Sequence, residues 1–340
     1  MDNSKSIKIQ IIRGFAIMAV VGIHSHISYY GGIWIRPFLN FAVGTFLFLS
    51  GYLTSKDITS PFDFCKKRIL RVLIPYTFWS VIYTMIYNSW GSFWKNYLIG
   101  NACDIYYYII VYIQIVLISP ILIRLINSRF WALGFAPNVI YLIVKYVIAM
   151  RGADIPGIFN INFFYSWTAF YYLGLCHARR RIDIRKIPLA IYIFAWIILS
   201  GIQVLEGHLW LGYFGILPLN YSLAVSQQKI SAVLTTLIFD CMIVYFIECK
   251  KSIPFMGGLK HIAGDIFAKI GDASFGIYLI HVMLLMVLNS YLYNRVLNVF
   301  PINMFITTLL CSVLVLGIGR ILKAVFGDIV GIRIIRWLGF

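Results

Sequence analysis

Arg13 and His24 close the two ends of the stretch RGFAIMAVVGIH, with only uncharged residues between them. At about 100° per residue, eleven steps come to about 1100°, about 20° off three full rotations, so both side chains share one helix face. They lie roughly 16 Å apart along the axis, about half the hydrocarbon thickness of a bilayer. Ionisable groups inside an apolar span are costly and point to function. By that rule His24, Lys145, Asp240 and His281 stand out. Lys145 lies near the outer end of its span and is expected to snorkel to the interface. Asp240, in TTLIFDCMIVYF, must pair, be protonated or face water; it could orient a histidine or balance an arginine. His281 closes GDASFGIYLIH, where Ser274, Tyr278 and His281 form one polar stripe, either a packing stripe with a buried hydrogen bond or part of a site.

A second group lies in DFCKKRILRVLIPY, where Lys66, Lys67, Arg68 and Arg71 fall within six positions. Arg68 and Arg71 project to one side of a helix, and paired guanidinium forks suit phosphate. The same residues would also serve as a charged anchor on anionic headgroups. No metal site is expected: His24 and His26 sit about 200° apart on a helix, and there is no HExxH-type cluster.

The elements that must carry these residues follow from composition. Of 340 residues, 61% are hydrophobic and 12% charged, about half the charge of a soluble domain. Ten apolar segments of spanning length fall near 8–30, 37–55, 72–90, 104–123, 130–150, 161–178, 187–205, 229–248, 272–293 and 303–323. With both termini cytoplasmic, that side collects all of the 29 Lys and Arg residues except Arg36, Lys95, Lys145, Arg151, Lys229 and Arg295. This asymmetry sets the orientation and accounts for the net charge of +17 without any nucleic-acid partner. The first span is too long for a signal peptide and no small-x-small cleavage site follows it, so it is expected to be retained. The six cysteines are scattered and read as small hydrophobic residues in helices. The expectation is an all-α polytopic membrane helix bundle of about ten transmembrane helices, one domain over residues 1–340.

Four segments, in order, resemble the acyltransferase family 3 membrane proteins, which transfer acetyl or other acyl groups to sugar hydroxyls of bacterial surface polysaccharides. IQIIRGFAIMAVVGIH resembles the first-helix signature, and FAVGTFLFLSGYL the second-helix pattern ending in Ser50 and Gly51. KKRILRVLIPY is similar to the R-x-x-R loop and its proline, here Arg68, Arg71 and Pro75, and GDASFGIYLIH to the late helix ending in His281. DIYYYIIVYIQIVLISP is a weaker fifth match, and the likeness runs from about residue 8 to 325. One departure concerns the second helix, where many members carry an acidic residue before Phe-Phe and this chain has Gly44 and Thr45. A different branch, or Asp240 taking that part, would account for it.

The resemblance implies an O-acyltransferase of the bacterial inner membrane, with acetyl as the expected acyl group. Acetyl-coenzyme A, or another acyl-coenzyme A such as succinyl, would be its co-substrate, with no permanently bound cofactor. Lys67, Arg68 and Arg71 become candidate clamps for the coenzyme phosphates, with Arg13 orienting the donor; Arg13 and His24 become the essential pair, with His281 and Asp240 as further catalytic candidates. A neutral imidazole can take the proton of a sugar hydroxyl during attack, or form an acyl-histidine. The acceptor would be a glycan or lipid-linked glycan. Trp90, Trp94, Tyr97, Trp210, Tyr213 and Tyr221 in the outer loops could stack on it, or form the interfacial aromatic belt. A glycan transporter or flippase without chemistry is the competing class.

Overall fold

The computed structural model describes residues 3–25, 29–54, 58, 60–153, 157, 162–248, 257–292 and 299–340. His26, Lys56, Cys249, Lys250, Lys251 and Arg295 lie outside the described residues. Fourteen α-helices are described: α1 (Asn3–His24), α2 (Tyr29–Ile35), α3 (Phe41–Tyr52), α4 (Pro61–Ile86), α5 (Phe93–Ile99), α6 (Tyr107–Ile126), α7 (Ala136–Met150), α8 (Thr168–Ala178), α9 (Leu189–Trp210), α10 (Tyr221–Ala224), α11 (Ile230–Glu248), α12 (Gly257–Asp272), α13 (Ser274–Leu292) and α14 (Ile302–Leu338). No strand occurs among the described residues. The chain is an all-α, multi-pass membrane protein.

Among the described residues nine helical segments are long and apolar enough to cross a bilayer. The expected span at 161–178 takes another form. Its helix, α8, has 11 residues, about 16 Å against about 30 Å of hydrocarbon, and every residue from Thr168 to His177 is buried. α12 falls between the eighth and ninth expected spans; Lys260, Asp265, Lys269 and Asp272 keep its hydropathy below that of a span. α14 runs past its expected end, breaks at Gly327 (φ 72°, ψ 169°) and continues to Leu338.

Local chemistry sets several boundaries. α4 begins at Pro61, whose missing N–H costs nothing in a first turn. The Ser60 hydroxyl accepts from the Asp63 N–H at 3.3 Å and donates to Asp63 Oδ2 at 2.7 Å, capping that end. Asn220 caps α10 by accepting from the Leu223 N–H at 2.9 Å.

The chain divides into two compact units. The first holds α1, the later part of α4 from Leu70, and α12 to α14. Its tightest packing is α1 on α12. A Cβ on Gly14 would stand 2.2 Å from the Phe267 carbonyl oxygen, and one on Gly271 would stand 1.8 Å from that of Gln10. Only glycine permits this backbone contact, which lipid-embedded helices use for van der Waals packing. Phe15 stacks on Phe267 beside it, centroids 3.9 Å apart.

The second unit holds α2, α3, the start of α4 and α5 to α11, to Tyr245. Here α3 packs on α8 by the same device. A Cβ on Gly51 would stand 2.0 Å from the Tyr171 carbonyl oxygen, and one on Gly174 would stand 2.2 Å from that of Phe48.

Candidate active site

α12 presses on α1 at Gln10 and Gly14, one turn apart on one face. Arg13 lies beside that contact. Its Nη1 donates to Gln10 Oε1 at 3.0 Å and its Nη2 to Ser274 Oγ, the first residue of α13, at 2.8 Å. The guanidinium is thereby held from two helices, and charge-assisted bonds of this kind are about twice as strong as neutral ones.

At the far end of α1, His24 meets His281 of α13, with ring centroids 5.5 Å apart and planes inclined at 53°. The two pairings, Arg13 with Ser274 and His24 with His281, follow the same order along both helices, so α1 and α13 run parallel. His24 is exposed and His281 is fully buried.

The tautomer of His281 follows from its neighbours. Its Nδ1 lies 2.9 Å from the Tyr278 carbonyl oxygen and 3.2 Å from that of Ile277. A carbonyl only accepts, so Nδ1 carries the proton, and whenever the ring is neutral Nε2 presents a bare lone pair. That Nε2 is buried with no hydrogen-bond partner among the described residues. Two imidazoles joined by one N–H···N bond place their centroids about 5 Å apart, and these rings, at 5.5 Å, stand close to that separation.

The second unit holds the other candidates. Asp240 is fully buried, and its Oδ1 accepts from the Thr45 hydroxyl at 2.7 Å. Its hydrogen-bond partner is thus a threonine, neither a histidine nor an arginine. Its Oδ2 has no partner among the described residues. A Cβ on Gly44 would meet the Thr236 methyl at 2.6 Å, so there is no room for an acid there. The second helix lacks its carboxylate, and α11 brings one to Thr45.

At the start of α4, Lys67 is exposed, while Arg68 lies over the Phe64 ring at 4.5 Å and reaches Ser50 Oγ at 3.5 Å. That weak contact ties the R-x-x-R segment to the Ser-Gly end of α3. Arg71, in the first unit's part of α4, is exposed.

Two expectations are corrected. Lys145 does not snorkel: it is 7% exposed, with its ammonium 5.5 Å from the Tyr141 ring centroid, a cation–π contact that offsets part of its desolvation. Trp210 cannot stack on a sugar, because it is fully buried and packs edge-on against Tyr146 at 5.7 Å. Trp94, Tyr213 and Tyr221 are exposed.

The sequence reading passed over a buried polar network in the second unit. Lys229 Nζ donates to the carbonyl oxygens of Gln203 and Ala224, both at 2.9 Å. The Glu206 carboxylate accepts from the hydroxyls of Tyr146 and Ser231, and Gln203 joins Asn40 and Thr235. Ser231 and Thr235, at i and i+4, were the readable signal, two polar residues on one face of an apolar helix.

The family model for the acyltransferase 3 group, described as an acyltransferase domain, matches residues 6–318. No curated protein and no solved structure matches the chain. The match covers nearly all of the sequence, and the chain belongs to this family of acyltransferases.

Proposed function

We propose that this family member is a membrane O-acyltransferase that moves an acetyl group from cytoplasmic acetyl-coenzyme A to a sugar hydroxyl. The acceptor is a bacterial surface polysaccharide or its lipid-linked precursor. The protein sits in the inner membrane with both termini cytoplasmic, as its basic residues suggest. The observation that carries this reading is the bare, buried Nε2 of His281 at hydrogen-bonding ring separation from His24.

A sugar hydroxyl is a poor nucleophile near neutral pH and needs a base as it attacks. His24, exposed at the end of α1, takes that proton on one ring nitrogen. For this its other nitrogen must close on His281 Nε2 and donate to it, which would fix the tautomer and steady the imidazolium as it forms, as the third member of a catalytic triad does. The hydroxyl oxygen bonds to the thioester carbon, the C–S bond breaks, and the thiolate leaves with its electron pair. The imidazolium returns the proton to that thiolate, so an ester and free coenzyme A result. Direct transfer suits this arrangement, since an acceptor behind His24 is what a base requires.

Arg13 lies about 16 Å from His24 along α1. That depth suits orienting the coenzyme rather than the developing oxyanion. Lys67, Arg68 and Arg71 supply cationic donors for its phosphates. Asp240 provides beside Thr45 the carboxyl that the second helix lacks.

The test is transfer of label from radiolabelled acetyl-coenzyme A into glycan by membranes holding wild type or His24→Ala at equal protein level. Label is expected with wild type and a loss of about a hundredfold or more with the variant. Transfer from succinyl- but not acetyl-coenzyme A would change the donor and keep the class. No transfer from either, with surface glycan depending on the protein but not on His24, would instead establish a flippase.

A further inference from the structure

His281 sits in an unusual turn of α13. Its own Nδ1 takes the carbonyls of Ile277 and Tyr278. The next carbonyl, that of Leu279, accepts from the Tyr83 hydroxyl of α4 at 3.3 Å. The same hydroxyl accepts from the Met283 N–H at 3.1 Å. Leu279 and Met283 are four apart, the two ends of one rung of the helical ladder. A tyrosine hydroxyl therefore bridges the rung that spans His281, and three successive carbonyls of this turn are engaged by side chains. A group that inserts into the ladder changes the local path of a helix.

Tyr83 is fully buried, and its ring stacks on Tyr87 with centroids 5.9 Å apart. Its position is therefore set by packing, and the hydroxyl has little freedom to leave the rung. The next residue, Thr84, makes no such reach: its hydroxyl donates to the Ser80 carbonyl of its own helix at 2.7 Å.

We propose that Tyr83 is a positioning residue for the histidine pair, its hydroxyl clamping the turn of α13 from Leu279 to Met283 so that His281 Nε2 faces His24. The inference rests on the acyl-transfer reading given above. A base oriented by a second ring depends on alignment, and a misplacement of about 1 Å in such a site costs on the order of a hundredfold in rate.

The experiment compares Tyr83→Phe, Thr84→Val, His281→Gln and the double variant Tyr83→Phe/His281→Gln in the labelled acetyl-coenzyme A assay. Each is assayed in membranes at matched protein level. Tyr83→Phe is expected to lower kcat roughly ten- to a hundredfold with the KM for acetyl-coenzyme A unchanged, and Thr84→Val to keep the wild-type rate. Because Tyr83 acts through His281, the double variant is expected to be no slower than His281→Gln alone. Hydrogen exchange of purified protein in detergent gives a readout apart from activity: the peptide covering 279–283 is expected to exchange faster in Tyr83→Phe. A wild-type kcat in Tyr83→Phe, multiplied losses in the double variant, or unchanged exchange would each overturn the clamp. A wild-type rate in His281→Gln would overturn the catalytic reading of the pair itself, and this inference with it.

Discussion

Gly14 and Gly271 bring α1 onto α12 in the first unit, and Gly51 and Gly174 bring α3 onto α8 in the second. Both units thus solve helix packing with the same reciprocal pair of glycines. They treat their buried polar atoms differently. In the second unit Lys229, Glu206, Gln203, Asn40, Thr235 and Ser231 are joined in one hydrogen-bonded network. In the first, His281 commits one nitrogen to its own helix and leaves the other open, with the exposed His24 beside it. An unsatisfied polar atom costs several kcal/mol in a membrane, and among the described residues the second unit carries them too, Asn40 Oδ1 in that network and both amide atoms of Gln228 among them. The open nitrogen of His281 differs in having an exposed imidazole beside it. Asp240 lies between these cases, with one oxygen bonded to Thr45 and the other without a partner.

Four variants break or sharpen this contrast, beyond those already described. The largest effect is expected from Arg13→Lys. An ammonium cannot hold both Gln10 and Ser274 as a planar fork does, so the rate in the labelled acetyl-coenzyme A assay should fall about ten- to a hundredfold. A near-wild-type rate would show that any cation suffices at that depth. Asp240→Asn is expected to lower the same rate about tenfold, since the amide keeps the Thr45 bond but not the carboxyl chemistry. Thr45→Asp/Asp240→Thr, which returns the carboxyl to α3, should recover part of that loss; no loss in Asp240→Asn would place Asp240 with the architecture. Lys229→Met should leave the rate per folded protein unchanged. It strips the carbonyls of Gln203 and Ala224 of a donor at about 1–3 kcal/mol, and the melting temperature in detergent should drop by several degrees. A loss of rate without a loss of stability there would give the second network a part in the chemistry.

Much of the site was legible because its residues break a pattern. A histidine, an arginine or an aspartate within an apolar run is visible against its surroundings, and so is the basic segment before the third span. Tyr83 and Gln10 were not legible, since tyrosine and glutamine near span ends are ordinary and their role lies in what they touch. α12 was missed because its charges hide a helix that packs along α1. The shortness of α8 was missed because hydropathy measures a segment's solvent and not where its backbone begins to coil.

The sequence by itself determined the class of solvent, the helical periodicity, and which residues share a face: Arg13 with His24, Ser274 with His281, Ser231 with Thr235. Those follow from composition and the 3.6-residue turn, which act over tens of residues. Only the tertiary structure decided that His281 stands beside His24, that Asp240 bonds to Thr45, and that Arg13 is shared between Gln10 and Ser274. A period fixes a face but not the face it meets. That choice is made by close packing between segments up to 261 residues apart, where two glycines let one pair of backbones touch and side-chain bulk holds the others away.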